Sequence, residues 1–194
     1  ITWNYFSTAL TSTSNSLAGN AGIYGKVYFP RIIIPLATLI SGLVRYFMQL
    51  ILFMFLVGYF IIKYPDSVSL QYDLLWILPV LIATMGVQGL GFGLLLSAIA
   101  SKYRDIRFLI SFGVSLAMYA SPVIFPLSIV PEKYKWIILA NPMSAIIETF
   151  RLMVFGVGQI SIYNILYSIT CTVILFFLGY LIFNHTEKDF IDNA

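Results

Sequence analysis

The sequence predicts an all-α integral membrane protein. Of its 194 residues, 60% are hydrophobic and only 10% are charged, and the mean hydropathy is +0.92, whereas a soluble domain carries about 25% charged residues. The runs 74–100, 108–130 and 162–183 contain no charged residue, and each exceeds the ~20 residues that a membrane-spanning helix needs. A fourth run, 32–62, is interrupted by Arg45 alone. The runs are continuous rather than alternating with period two, which favours helices over strands.

The first segment, 1–19, predicts a fifth membrane helix, since no charged residue occurs before position 26. It opens with the aromatic cluster "ITWNYF", which is typical of a membrane interface. It continues with "STALTSTSNSLAGN", in which seven of fourteen residues carry a hydroxyl. These hydroxyls could bond to their own backbone or to neighbouring helices, or they could line a path for a hydroxyl-rich substrate.

As a helix, the run 32–62 would be ~46 Å long. The hydrocarbon core is only ~30 Å thick, so the helix must tilt within the membrane or protrude from it. Arg45, with Gln49 one turn later, is a functional candidate because charges at membrane depth are costly, although it could also snorkel or face a neighbouring helix. Aromatic side chains beside Ser and Thr could also line such a path, although interface belts and helix packing explain most of them. The candidates for a substrate path are Tyr5, Thr8, Ser12, Arg45, Gln49 and Tyr119.

The run 74–100 contains "GVQGLGFG", which does not predict a nucleotide-binding loop, because no strand precedes it and no lysine follows it. Gly86, Gly89 and Gly93 instead predict close approach between helices. The charged segment 101–107, "SKYRDIR", predicts a short loop between two membrane helices.

The segment 131–158 is apolar, but Asn141-Pro142, Glu148 and Arg151 would be costly if they faced lipid. Two short helices meeting at Asn141-Pro142 fit better, because the residue before a proline disfavours helix. We therefore expect a re-entrant hairpin that returns to the side it left. Glu148 and Arg151, at i and i+3, could neutralise each other locally or take part in an exit path. The candidates for this exit region are Ser121, Pro122, Asn141, Pro142, Glu148 and Arg151.

Several classes of function are disfavoured. The one cysteine, Cys171, and the one histidine, His185, predict neither a disulfide framework nor a metal site. The GxxxxGK[ST] phosphate loop is absent from the sequence, so any ATP-driven motor must be another polypeptide. All eight acidic residues lie in loops, the hairpin or the tail, which disfavours an ion-coupled transporter or channel. A membrane-embedded transferase or hydrolase would need converging acid, base or nucleophile groups. The single histidine and the single cysteine lie far apart in the sequence and in no recognisable site, which disfavours this class as well. The net charge of +3 is too diffuse to indicate nucleic acid binding.

The distribution of lysine and arginine predicts the orientation. With the hairpin counted as non-crossing, one side holds six cations and the other holds four. The majority places 20–31, 101–107 and the tail 184–194 in the cytoplasm. The six are Lys26, Arg31, Lys102, Arg104, Arg107 and Lys188, and the four are Lys63, Lys133, Lys135 and Arg151.

Five segments occur in an order and at a spacing that resemble a known family. They are "NAGIYGKVYFPRIIIPLA" (20–37), "YRDIRF" (103–108), "SPVIFPLSIVPE" (121–132), "NPMSAIIETFR" (141–151) and "FNHTEKDFIDNA" (183–194). Over essentially its whole length the chain resembles the membrane subunit (permease) of ABC-2-type exporters. Within that family it is most similar to polysaccharide exporters of lipid-linked O-antigen and, more distantly, of teichoic acids.

The resemblance implies the type V exporter fold, with six membrane helices in a full subunit, of which five are present here together with the re-entrant hairpin. It also implies a homodimer with the translocation path between subunits, two copies of a cytoplasmic ATPase that binds ATP and Mg, and a bacterial cytoplasmic (inner) membrane location. Export of teichoic acid, another lipid or a drug is the alternative. Members usually begin with an interface helix and one more membrane helix, so we expect this chain to lack the start of its subunit. Arg45 stands where the family leads us to expect an acidic or polar residue. The residues implied to couple to the ATPase are Lys26, Tyr28, Phe29, Pro30, Arg31, Lys102, Tyr103, Arg104 and Asp105.

Overall fold

The computed structural model describes residues 1–19, 30, 32–64, 69–103, 105–158 and 161–192, with the backbone alone at 17, 18, 102 and 187–192. The regular elements of these residues are helices, and no strand occurs among them. The predicted all-α class is therefore confirmed. Five of the residues predicted to couple to an ATPase lie outside the described residues: Lys26, Tyr28, Phe29, Arg31 and Arg104.

The chain forms eight α-helices and two short 3₁₀ helices within the described residues. The 3₁₀ helices are Tyr72–Ile77, which leads directly into α4, and Leu127–Ile129. The α-helices are α1 (Thr2–Ser14), α2 (Ser16–Gly19), α3 (Ile33–Lys63), α4 (Leu78–Lys102), α5 (Ile106–Tyr119), α6 (Glu132–Leu139), α7 (Pro142–Phe155) and α8 (Ile162–Asp192).

Three helical stretches are long and apolar enough to cross a membrane: Ile33–Lys63, Tyr72–Ser101 and Ile162–Thr186. The consecutive helices α6 and α7 would add a fourth if the bent pair counts as one span. The prediction of five membrane helices also requires α1–α2 and α5 to cross, and that part stays a prediction.

The helix predicted over 1–19 is divided at Asn15 into α1 and α2, and two predicted helix ends also differ from the structure. The helix expected over 108–130 ends at Tyr119 and has only 14 residues, or a length of ~21 Å. The reason is local, because Ser121 precedes Pro122 and Pro126 follows four residues later, and these positions disfavour helix. The last helix, expected to end at 183, runs on to Asp192, since no glycine or proline interrupts 184–192.

Helix α4 lies at the centre of the packing, with α1 and α8 against two different faces. A Cβ added at Gly93 would lie 2.8 Å from the carbonyl oxygen of Leu10 in α1. A Cβ at Gly91 would lie 2.9 Å from the backbone nitrogen of Phe176 in α8, and one at Gly179 would lie 2.5 Å from the Gly91 carbonyl oxygen. Glycine at these positions therefore lets the helix backbones come into contact. Close packing of this kind drives helix association in membranes, because lipid provides no hydrophobic driving force between helices.

Candidate functional site

The break between α6 and α7 is built by Asn141 and Pro142. The two helices are bent by 107° at this point. The Asn141 Oδ1 atom accepts a hydrogen bond of 3.0 Å from the Met143 backbone N–H, and Pro142 is the first residue of α7. Both are favourable at a helix start, since the asparagine satisfies a free donor and the proline lacks one. The Asn141 Nδ2 atom also donates to Ser121 Oγ at 2.8 Å, which ties the bend to the segment after α5.

Two hydroxyls of α8 hold the same bend from the other side. Tyr167 donates to the Ala140 carbonyl at 2.8 Å, and Ser168 donates to the Pro142 carbonyl at 2.7 Å. Ser168 is almost fully buried. Neither residue was predicted, although polar side chains inside an otherwise apolar run often bond across helices. The occurrence of these two hydroxyl side chains within the apolar run 162–183 was the sequence signal that could have indicated them.

Arg151 of α7 fixes the irregular segment between α5 and α6. Its Nη2 atom donates to the carbonyls of Pro122 at 2.7 Å and Val123 at 3.3 Å, and its Nη1 atom donates to the Phe125 carbonyl at 3.3 Å. These three carbonyls belong to residues that follow the end of α5 and so lack helical partners. The guanidinium fork, with donors in several directions, supplies them from a single side chain.

Glu148 completes this arrangement. Its Oε1 atom lies 2.5 Å from Arg151 Nη1 and accepts a 3.0 Å hydrogen bond from the Leu127 backbone N–H. The side chain is only 3% exposed, and among the described residues its Oε2 atom has no hydrogen-bond partner. The ion pair expected from the i, i+3 spacing is present. It lies in the interior, where it joins α7 to the segment 121–127 as one unit.

A second polar group lies between α1 and α3. Tyr5, Thr8, Arg45 and Gln49, four of the six residues predicted for a substrate path, line one narrow cleft of about 20 Å³ together with Asn4, Gly42 and Tyr46. The Tyr5 and Tyr46 rings lie 5.2 Å apart between centroids. Ser12 and Tyr119 do not line this cleft. Asn4 and Tyr46 were missed because neither is exceptional in the sequence, and only the pairing of α1 with α3 brings them to Arg45.

Three of the residues predicted to couple to an ATPase are described with their side chains, and all three, Pro30, Tyr103 and Asp105, are exposed. Helix α4 ends at Lys102 and α5 begins at Ile106, so the connection is a short turn, as predicted. A polar cleft of about 520 Å³ at this turn is lined by Asn15, Asp105, Arg107, Phe108 and Ser111. Since Asn15 follows the last residue of α1, the end of α1 and the α4–α5 turn lie at the same end of the molecule.

A larger cleft, of about 570 Å³, lies between α1, α5 and the α6–α7 bend. Its lining is apolar and aromatic apart from Asn141. Outside the cleft, α5 exposes Phe108, Phe112 and Tyr119. Such an apolar surface is the rule for helices that meet lipid or a further membrane helix.

These features define the class of protein: a helical membrane protein with a polar bent-helix unit at one end and a short exposed turn at the other. Residues 1–155 match the family described as "ABC-2 type transporter". The chain belongs to this family, whose members are transporter permeases rather than enzymes.

Curated relatives span nearly the whole chain. Two proteins from Klebsiella pneumoniae, both named "O-antigen export system permease protein RfbA", are 29% and 27% identical to it over 191 residues. Each alignment covers 98% of this chain and 71% of the relative. A Myxococcus xanthus protein of the same name is 22% identical over 193 residues, or 98% of this chain and 72% of the relative.

Proposed function

We propose that the protein is the membrane permease of an ATP-driven exporter that moves a lipid-linked O-antigen polysaccharide out of the cytoplasm. The observation that carries the proposal is the similarity to three O-antigen export permeases over 98% of the chain. Membership of the ABC-2 family supports the transporter class independently of that substrate. Teichoic acid, another lipid or a drug would be the alternative cargo.

ATP and Mg would be bound by two copies of a separate cytoplasmic ATPase, with two permease copies forming the path between them. The absence of a phosphate loop from the sequence supports the assignment of hydrolysis to another chain. The permease would lie in the bacterial inner membrane, with the α4–α5 turn and the tail in the cytoplasm, as the distribution of cations predicts.

Coupling to the ATPase would use segment 20–31 and the α4–α5 turn. The turn is exposed and joins two helices through only a few residues, so a push on it would move α4 and α5 as rigid bodies. The bent pair α6–α7 would be re-entrant and lie near the exit. Its polar groups bond to one another and to the segment after α5, which supports an ordered structure at a membrane interface.

The test is export in cells that carry the chain's own operon. Lys26→Glu and Arg104→Glu should leave ATP hydrolysis by the purified complex intact and reduce the amount of O-antigen at the cell surface, because the conformational change of the ATPase would no longer be transmitted to the permease. Lys133→Glu, on the predicted opposite side, is the matched charge reversal and should leave export intact. Undiminished export after both reversals would refute the coupling assignment, and a wild-type complex that displays no polysaccharide would refute the substrate assignment.

A further inference from the structure

The C-terminal end of α7 is bonded to the segment that precedes α4. The backbone N–H of Gln71 donates to the Met153 carbonyl at 3.0 Å, and Ser69 Oγ donates to the Phe155 carbonyl at 3.2 Å. Met153 and Phe155 are among the last four residues of α7, whose carbonyls find no donor within their own helix. Ser69 lies 86 positions from Phe155 in the sequence, so a distant part of the chain satisfies this helix end.

Gly156 makes the close approach of Ser69 possible. It has the left-handed conformation, with φ of 66°, and its N–H donates to the Leu152 carbonyl at 2.9 Å, which is a common way for a helix to end. A Cβ at this position would overlap Ser69 Oγ and lie 3.2 Å from the Ser69 carbonyl oxygen. Glycine therefore serves both the end of α7 and the contact with the segment before α4.

The segment before α4 is connected to the α4–α5 turn by one continuous helical stretch. The 3₁₀ helix Tyr72–Ile77 begins directly after Gln71 and continues into α4, so that the stretch runs from Tyr72 to Ser101. Its length is ~50 Å. One end of it carries the bonds to α7, and the other end leads into the turn. A displacement of the turn therefore reaches the end of α7 if α4 moves as a rigid element.

Helix α5, on the other side of the turn, is connected to the same part of α7. Arg151 donates to three carbonyls that follow the end of α5, and it lies four residues, or ~6 Å along the helix, from Phe155. The opposite end of α7 is held by α8, because Ser168 donates to the Pro142 carbonyl at 2.7 Å. Helix α7 is thus fixed at the bend and bonded at its other end to both α4 and α5.

We infer that Ser69, Gln71 and Arg151 are positioning residues that transmit movement of the α4–α5 turn to the bent pair α6–α7. The inference rests on the proposed function, because the ATPase would supply the movement. It adds to that function the route by which a push at one end of the molecule turns the helices at the other end.

The geometry of α7 is that of a lever with its pivot at the bend. Met153 lies eleven residues, or ~16 Å, from Pro142, so a shift of about 1–2 Å at Met153 turns α7 by about 4–7°. Ser144 Oγ donates to the Ile138 carbonyl at 2.6 Å and joins the start of α7 to the end of α6. The two helices of the bent pair therefore turn together.

The experiment measures distances between the two permease copies of the purified permease–ATPase complex by pulsed electron paramagnetic resonance. One nitroxide per copy is attached in a Cys171→Ser background, since Cys171 is the single cysteine. The label is placed either at Ile99→Cys, near the turn, or at Val157→Cys, just after α7, and both side chains are exposed. When ATP is added to a complex whose ATPase cannot hydrolyse it, both distances should change by about 2–4 Å, twice the shift of a single helix.

The variant Ser69→Ala with Gln71→Pro removes both bonds between α4 and α7, because proline lacks an N–H. Gln71 has φ of −90°, so proline needs little change of the backbone there. The ATP-dependent change at Val157 should fall to about half, because the connection through Arg151 remains, and the change at Ile99 should persist. The matched control, Ser69→Thr with Gln71→Ala, keeps the hydroxyl and the N–H and should keep both changes.

Arg151→Lys tests the connection to α5. It keeps a positive charge beside Glu148 but lacks the guanidinium fork that contacts three carbonyls. It should also reduce the change at Val157 to about half while the change at Ile99 persists. Ser115→Ala, which removes a hydroxyl bonded only within α5, should alter neither distance.

Three results would overturn the inference. One is an undiminished change at Val157 in the variants that lack the bonds, and another is an equal loss in the matched control. The third is the absence of an ATP-dependent change at Ile99 in the unaltered permease, which would contradict the proposed coupling to the ATPase as well. A change at Ile99 without one at Val157 in that permease refutes this inference alone. If the Ser69→Ala, Gln71→Pro variant does not assemble, Ser69→Ala and Arg151→Lys decide the comparison.

Discussion

Replacing Arg151 by methionine should destabilise the protein more than replacing any other cation of the described hairpin. The change removes the donors to three backbone carbonyls and leaves the Glu148 carboxylate, whose side chain is 3% exposed, without its counter-charge. Breaking a buried pair by removal of one partner costs about 3–5 kcal/mol. Since the Arg151 side chain is 18% exposed, some water can replace it, and we expect a loss near the lower end, about 3 kcal/mol.

The cost of the matching change in Glu148 should be smaller. Glu148→Gln keeps an acceptor for the Leu127 N–H, and Arg151 keeps its three carbonyls, so we expect a loss of about 1–2 kcal/mol. Because the two side chains interact directly, the double variant should be more stable than the sum of the single losses predicts, by about 1–3 kcal/mol.

The assay is reversible unfolding in mixed micelles, followed by tryptophan fluorescence and by circular dichroism. The control is Lys135→Met, which breaks an ion pair of the same i, i+3 spacing, to a Glu132 side chain that is 87% exposed. An exposed pair contributes about 0–1 kcal/mol. A loss in Arg151→Met no greater than in Lys135→Met, or strict additivity in the double variant, would refute the structural role given to the buried pair.

Three further predictions concern other contacts. Gly179→Ala should destabilise the protein by about 1–3 kcal/mol, because the new Cβ would meet the backbone of α4. Gly58→Ala is the control: no atom lies within 4 Å of its Cβ position, so it should not lower the free energy of unfolding in the same assay. Ser168→Ala should lower the free energy of unfolding by about 1 kcal/mol through the lost hydrogen bond to the α6–α7 bend. Amide hydrogen exchange should become faster in α7 than in α1. An equal change in both helices would argue against this role of Ser168. Phe29→Ala should reduce export per ATP hydrolysed more than Lys26→Ala, because an aromatic side chain can be buried in a partner whereas a lysine would mainly contact lipid headgroups. Equal effects of the two changes would contradict this difference.

Much of the fold could be predicted because membrane helices are read from long uncharged runs. Helices α3, α4 and α8 lie in three of the predicted runs, 32–62, 74–100 and 162–183, and their existence follows from the requirement to satisfy every backbone group internally. The break at Asn141-Pro142 was predicted for a local reason, the conformational restriction before proline. These features depend on neighbouring residues in the chain alone.

Most of the features that were missed depend on tertiary pairing. The end of α5 at Tyr119 is stabilised by Arg151, which lies about thirty residues further along the chain and supplies donors to the carbonyls that follow. Pro122 and Pro126 were a local signal that this helix ends before 130, and the prediction of one helix over 108–130 overlooked it. The donors that Arg151 supplies there could not be predicted from a run of apolar residues. Tyr167 and Ser168 were overlooked for the same reason, because their importance comes from facing the α6–α7 bend.

The candidate site was predicted unevenly. Arg45 and Gln49 were singled out by their depth in an apolar run, and the structure places the predicted Tyr5 and Thr8 in the same cleft and adds Asn4 and Tyr46. For the exit region, the i, i+3 spacing predicted the Glu148–Arg151 pair but not the carbonyls it organises. Most of the proposed coupling segment lies outside the described residues, so its role is a proposal from resemblance that the charge reversals at Lys26 and Arg104 test.

The central claim is that this chain is the passive membrane half of an ATP-driven exporter. It is tested most directly by reconstituting the permease with its ATPase in liposomes and measuring translocation of a fluorescent lipid-linked polysaccharide. The predicted result is that translocation requires ATP, stops with an ATPase that cannot hydrolyse ATP, and does not change when a proton gradient is applied. Translocation that proceeds without ATP and follows the proton gradient would contradict the account.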